Sequence, residues 1–266
     1  MKAISLVLVL FSFSAVGETP CYSALRFISV NEAPANYVDE NGEFDGFTTG
    51  IVKQLQSQLD IDIPLEVMPE ARAMMTLNSN ANVVMFSISR TRQRESNYHW
   101  LGHVISKRWV LYSRYDSQDD VTSLQQVIDT KVIGVIRGDI REKWLNDKRA
   151  SYVISIPSYE NAIEMLMRGR IDYLFYESFG VYSTLKNLGY TSDMVKSQLV
   201  VTESDVYIAM SKSLSSDDMA LALQQELELL MASDWYKAHI EKWVNKLNAE
   251  KVADGSSSLT GDIRIH

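Results

Sequence analysis

Cysteine is nearly absent: Cys21 is the single one in 266 residues. One thiol cannot close an intramolecular disulfide, and the lone cysteine with four histidines excludes a Cys/His metal cluster by count. Positive charge is also scarce. Lys and Arg number 26 against 34 Asp and Glu, for a formal net charge of −8. A binder of nucleic acid normally shows a basic face, so nucleic acid is not an expected partner. The chain has no G-x-S-x-G elbow, no phosphate loop and no H-E-x-x-H pair, which removes the commonest signatures of nucleophilic, phosphoryl-transfer and zinc-dependent enzymes. His99 and His103 stand four apart, but they straddle Gly102 and no third ligand lies near, so no metal site is expected. Beyond the N-terminus no stretch is apolar for long enough to cross a bilayer.

What is present is ordinary for a globular chain: 46% apolar and 23% charged residues. The length suits one large domain or two modest ones. The N-terminus is distinctive. Met1-Lys2, the apolar run "AISLVLVLFSF" and the small residues Ala15 and Gly17 make the three-part pattern of a secretory signal peptide, residues 1–17, cut after Gly17. "ETP" directly before Cys21 does not suit lipid attachment.

From residue 25 the pattern alternates. "LRFISV" reads as a strand, "DENGE" as a hairpin turn, "GIVKQLQSQLDI" as a helix, "IPLEVMP" as a strand, "EARAMMTLNSN" as a helix and "NVVMFSI" as a buried strand. The second half repeats this logic in "KVIGVI", "IREKWLNDK", "YVISI", "SYENAIEMLMRGRID", with Ser158 as its helix cap, and "YLFY". "KRWVLYSR" and "SDVYIAMS" read as strands, and two helices close the chain. Alternating strands and helices predict an α/β fold with a mostly parallel sheet flanked by helices, here in two lobes. Ligands of such sheets bind beyond the carboxyl ends of the strands. The Met-rich pieces Met74-Met75 and Met165–Met167 read as core filling. From about Ala249 the apolar period fades, and residues 248–266 read as a mobile tail.

Directly after the strand "VVMF" comes "SISRTRQRE", with Arg90, Arg92 and Arg94 at alternate positions of an acidic chain. Thr91 can cap a short helix beginning at Arg92, whose free N–H groups would favour an anion. Ser89 stands beside it, and Arg94 adds a planar fork matched to a carboxylate. A surface arginine paired with Glu95 is the plain alternative.

Four stretches, in order, resemble the periplasmic solute-binding proteins of the amino-acid class, family 3, with the type II two-lobe fold. They are "NEAPANYVDENGEFDGF", "SISRTRQRE…WLGHVI", "SYENAIEMLMRGRIDYLFYES" and "ASDWYKAHIEKWV", spanning roughly residues 25–245. The resemblance implies two crossings between lobes, near residues 110–115 and 200–204. Lobe 1 would be residues 22–112 with 203–247, and lobe 2 residues 113–202. It implies periplasmic binding of a small polar carboxylate, an amino acid foremost, for uptake by an ABC importer. That means a small-molecule ligand, an inner-membrane permease complex as partner, a monomer, and no cofactor or enzymatic activity. A sensory or orphan binding module, or a dehydratase on the same scaffold, is the alternative.

By the same resemblance Arg94, the last residue of a T-x-x-R segment, holds the ligand carboxylate, and Glu177, after "GRID", meets its ammonium. Asp172 within "GRID" serves local structure. Tyr37 and Phe47 from lobe 1 and Tyr176 from lobe 2 are candidate aromatic walls. Arg72 aligns loosely with a cleft arginine. Gly138 lets backbone approach the ligand, with Asp139 beside it.

Overall fold

The computed structural model of the protein describes residues 22–39, 41–178, 180–212 and 215–253. The expected signal peptide, Cys21 and residues 254–266 of the expected tail lie outside the described residues. The first half runs β1 (Arg26–Ser29), β2 (Tyr37–Val38), β3 (Phe44–Asp45), α1 (Phe47–Gln58), β4 (Leu65–Val67), α2 (Glu70–Ser79), β5 (Val83–Ser89) and β6 (Tyr98–Arg114). Then follow α3 (Gln125–Ile128), β7 (Ile133–Ile136), α4 (Ile140–Asp147), β8 (Val153–Ile156), α5 (Tyr159–Met167), β9 (Tyr173–Glu177), α6 (Val181–Asn187) and β10 (Val195–Ser211), closed by α7 (Asp217–Met231) and α8 (Asp234–Ala253). The hairpin at "DENGE" forms because Asp39 accepts from the N–H groups of Asn41 and Glu43 at 2.9 and 2.8 Å.

One eight-stranded sheet carries the fold, in the order β4-β1-β5-β10-β6-β9-β7-β8. The outer strands are parallel: β1 with β4 and β5, and β7 with β8 and β9. β10 is antiparallel to β5 and β6, and β6 to β9. β6 and β10 are each 17 residues long, well beyond the usual strand, and serve both halves.

Alternation along each strand sends neighbours to opposite faces. In the first half Phe27, Val84, Phe86 and Ile208 pack under α1 and α7, while Ile28, Val83, Met85 and Ala209 pack under α2. In the second half Val110, Tyr112, Leu174 and Tyr176 face α5 and α6, and Trp109, Leu111, Tyr173 and Phe175 face Ile128 and Leu145. Each half therefore buries its own pair of cores. Ile105 and Val206 belong to the first half's cores and Trp109 to the second's, so the passage between halves on β6 falls just before Trp109. Trp109–Tyr112, which the sequence assigns to lobe 1, pack with lobe 2.

Three further expectations change. Helix α8 continues to Ala253, past the point where the sequence predicts loss of helix. Met75 is 63% exposed, so it fills no core. Helix α6, unread in the sequence, follows β9 and supplies Val181 and Leu185 to the second half.

Candidate functional site

The carboxyl ends of the parallel strands meet between the halves. The turn after β1 brings Glu32, the start of α2 after β4 brings Glu70, and the turns after β5 bring Arg94. From the other half come Asp139 and Arg141 after β7, Tyr159 after β8 and Glu177 at the end of β9. Lys107, on the long strand β6, completes a cavity lined by four carboxylates and three cations. So much buried charge is costly unless paired, and most of it is.

Lys107 is 4% exposed; its Nζ lies 3.1 Å from Glu32 Oε2 and 3.7 Å from Glu177 Oε1. Burial works against its ammonium, but the charges of Glu177 and Glu32 prevail and raise its pKa. Asp139 caps α4, accepting from the Arg141 backbone N–H at 2.7 Å, and its carboxylate takes both arms of the Arg141 guanidinium at 2.8 and 2.7 Å. Burial alone would raise the Asp139 carboxyl; Arg141 overrides it and holds it below the usual range. The Arg141 guanidinium also lies 5.5 Å above the Tyr176 ring, on which Tyr159 stacks at 4.6 Å. The Tyr159 hydroxyl donates to Glu32 Oε1 at 3.2 Å, tying the halves together.

Two groups in this network remain unspent. Arg94 is 9% exposed, and its guanidinium donates to the Ser89 carbonyl at 3.2 Å and weakly to Met74 Sδ at 3.6 Å. Among the described residues no carboxylate stands within ion-pair distance of it. Arg141 Nη1 is buried with no hydrogen-bond partner among the described residues. The Glu70 carboxyl is pushed up to about 8, first by burial and then by the charge of Asp139, with Arg94 pulling the other way.

The halves are closed on each other. A Cβ on Gly138 would stand 2.7 Å from Ala71 Cα, and one on Gly180 would stand 2.8 Å from the Ala33 carbonyl. The space left within the charged cavity is about 20 Å3. A water needs at least ~10–15 Å3, so the cavity holds little more than one. A solute enters only when the halves part or these side chains move.

The predicted residues divide accordingly. Arg94, Ser89, Asp139 and Glu177 all line the cavity. Tyr176 stands one layer behind it, under Tyr159 and Arg141. Gly138, with φ +81°, makes the close approach to α2. Thr91 caps no helix: residues 92–97 form turns, with Arg94 N–H donating to the Thr91 carbonyl at 2.9 Å, and the Thr91 hydroxyl has no partner among the described residues. Tyr37 lies outside the cavity, its hydroxyl bonded to Asp45 at 3.1 Å and reached by Lys246 at 3.3 Å. Phe47 is a core residue stacked on His239 at 5.3 Å, because its apolar ring heads the buried face of α1. Arg72 is exposed on α2, near Glu66 rather than the cavity. The Glu95 partner is Arg90, paired at 2.9 and 2.6 Å and lying over Trp100 and Tyr207; Arg92 is exposed. Asp172 holds local structure, accepting from Val132 N–H at 2.8 Å.

Sequence reasoning missed Glu32, Glu70, Lys107 and Arg141. Lys107 had a signal: a lone ammonium inside the apolar strand "HVISKRWVLY". Arg141 stands two residues past a cap, and Glu70 directly after Pro69 at a helix start, positions where charge is common and uninformative.

The family described as bacterial extracellular solute-binding proteins, family 3, matches residues 25–246. No curated protein matches the sequence. Among solved structures, a mutant of ArgBP from T. maritima is similar at 19% identity and TM-score 0.73, covering 84% of this chain and 96% of that one. A histidine kinase sensor domain with similarity to periplasmic binding proteins is similar at 14% identity and TM-score 0.73, covering 83% and 96%. An ABC uptake transporter substrate-binding protein from Streptococcus pneumoniae with bound histidine is similar at 13% identity and TM-score 0.71, covering 82% and 91%. These likenesses establish the type II periplasmic-binding fold. No helix among the described residues is long and apolar enough to cross a membrane.

Proposed function

We propose, from the premise that the chain belongs to the bacterial extracellular solute-binding proteins, family 3, that it captures a small polar carboxylate, an amino acid foremost, in the charged cleft. The observation that carries this reading is the buried Arg94 guanidinium, left without a carboxylate among the described residues while every other cation of the cavity has one. A solute carboxylate supplies that partner, with Arg141 Nη1 as a second donor across the cleft. Glu177 and Glu32 both face the Lys107 ammonium, and Glu32 also lies 4.0 Å from Arg141 Nη2, so a solute ammonium would share these carboxylates, Glu177 foremost. Opening about β6 and β10 admits the solute, and closure then excludes water. The solute stabilises the closed form only by binding it better than the open one.

Export through the N-terminal signal, residence in the periplasm and delivery to an inner-membrane importer complete the proposal. A sensory module is the second reading, favoured by the likeness to a kinase sensor domain; the captured solute would then be a signal. Thermal shift against a panel of amino acids tests the capture. A solute at a hundred times its dissociation constant should add about 2.7 kcal/mol of stability, and Arg94→Ala should abolish the shift while the unliganded protein stays folded. A variant that responds as wild type does removes the arginine from the site.

A further inference from the structure

Beside the charged cavity the two halves border a second, half-open hollow of about 260 Å3. Val67, Met68 and Pro69 from the end of β4 face Ile136 and Pro157 from the other half. Glu70 and Tyr159 line both hollows, so the two are adjoining chambers behind one partition. The ion pairs of Lys107 and Arg141 lie in the charged chamber; the second hollow touches that network only through Glu70 and Tyr159. Its walls are largely apolar, with Asn31, Ser158, Glu70 and Glu160 among them; Met68 and Ile136 are already buried, while Pro69, Pro157 and Val67, 36% exposed, stand beside water. Apolar surface in that position is stabilised by any apolar group that displaces the water.

Resting on the reading that the cleft seats a carboxylate solute, we propose that this solute carries an apolar side chain, which lies in the second hollow while its carboxylate meets Arg94. The occupant is small, because the hollow falls below the roughly 300–1,000 Å3 of drug-sized sites. Its polar head lies on the Glu70 and Tyr159 side, since those two residues line both the hollow and the charged chamber. Its chain is uncharged, because a charged end resting among Val67, Met68, Ile136 and Pro157 would lose hydration, and only one long enough to reach Glu160 would regain a partner. Glu160 stands at the same hollow and makes a long cationic chain the competing occupant.

Calorimetric titration of the full chain tests this with L-alanine, L-norvaline, L-norleucine and L-arginine, and with the 2-oxo acids matching the first three. Affinity should rise about fourfold per methylene, or about sixtyfold from the alanine to the norleucine chain. The heat-capacity change on binding should grow more negative along the series. Val67→Asp should flatten this gradient, whereas Arg94→Ala should weaken every member. Affinities that do not rise with chain length, or arginine bound more tightly than norleucine, overturn the apolar side chain and leave the carboxylate seat standing. Binding of none of the seven overturns both.

Discussion

Lys107→Met tests the charged cluster most directly. The substitution keeps most of the apolar stem and removes the ammonium held 3.1 Å from Glu32 and 3.7 Å from Glu177. All three side chains are at most 6% exposed, so the two carboxylates are left buried together. Stripping one partner from a buried pair costs about 3–5 kcal/mol. In a chain of this size each kcal/mol moves Tm by about 2–4 °C, so the melting point at pH 7 should fall by about 6–20 °C. The fold also offers an escape, since parting of the halves would hydrate both carboxylates. The loss is then capped by the free energy of opening, and the radius of gyration of the variant should rise. Lys107 itself has a raised pKa, so in the wild type its contribution persists until pH climbs past its folded value. Scanning calorimetry and small-angle scattering at pH 7 measure these effects. A variant with wild-type Tm and wild-type radius at pH 7 refutes the buried cluster.

Gly138→Ala sets a methyl 2.7 Å from Ala71 Cα in a residue whose φ is +81°. It should cost about 1–2 kcal/mol in urea unfolding from the left-handed backbone, and it should weaken any bound solute at least tenfold by holding the halves apart. An unchanged affinity would mean that closure does not bring α2 against the β7–α4 turn. Glu70→Gln addresses pH. The Glu70 carboxyl is raised from its ordinary 4.5 to about 8, so the folded protein holds a proton that the unfolded chain gives up. That stability is fully present below pH 4.5 and is lost as pH rises through 8. Wild type should therefore lose Tm relative to Glu70→Gln between pH 5 and pH 8.5, and parallel profiles would mean that the carboxyl is hydrated.

The fold was legible because it depends on period and punctuation. "VVMF" and "YLFY" read as strands and are buried ones, and Ser158 does cap its helix, accepting from Asn161 N–H at 3.2 Å. The lengths of β6 and β10 were not legible, since His103, Lys107, Glu203 and Asp205 break the apolar pattern where the strands pass between the halves. The site was legible in part. The segment holding Arg94 followed from its place after a buried strand, which fixes where the chain emerges, and the choice of Arg94 over Arg90 and Arg92 came from the T-x-x-R resemblance. Thr91 was misread because a capping residue and a turn residue share the same chemistry, and only the backbone path distinguishes them. Tyr37 and Phe47 were misplaced because an aromatic near a ligand loop looks the same in sequence whether it faces the cleft or, like Phe47, the core beside His239 and Trp243. Glu32, Glu70 and Arg141 were hidden because their meaning lies in one another. Each is an ordinary charged residue until folding brings all of them into one cavity.

That mutual dependence bears on what the cleft recognises. Closed, the cleft already neutralises most of its own charge: Asp139 is taken by Arg141, and Lys107 by Glu32 and Glu177. A solute ammonium must therefore share carboxylates with a resident ammonium, and each shared contact gains less than a new one. A solute carboxylate meets no such competitor. It finds Arg94 without an anion and Arg141 Nη1 without an acceptor among the described residues, so closure over it supplies partners that both groups otherwise lack. The free energy gained at the negative end of the solute should accordingly exceed that gained at the positive end. Recognition in this cleft rests first on the carboxylate.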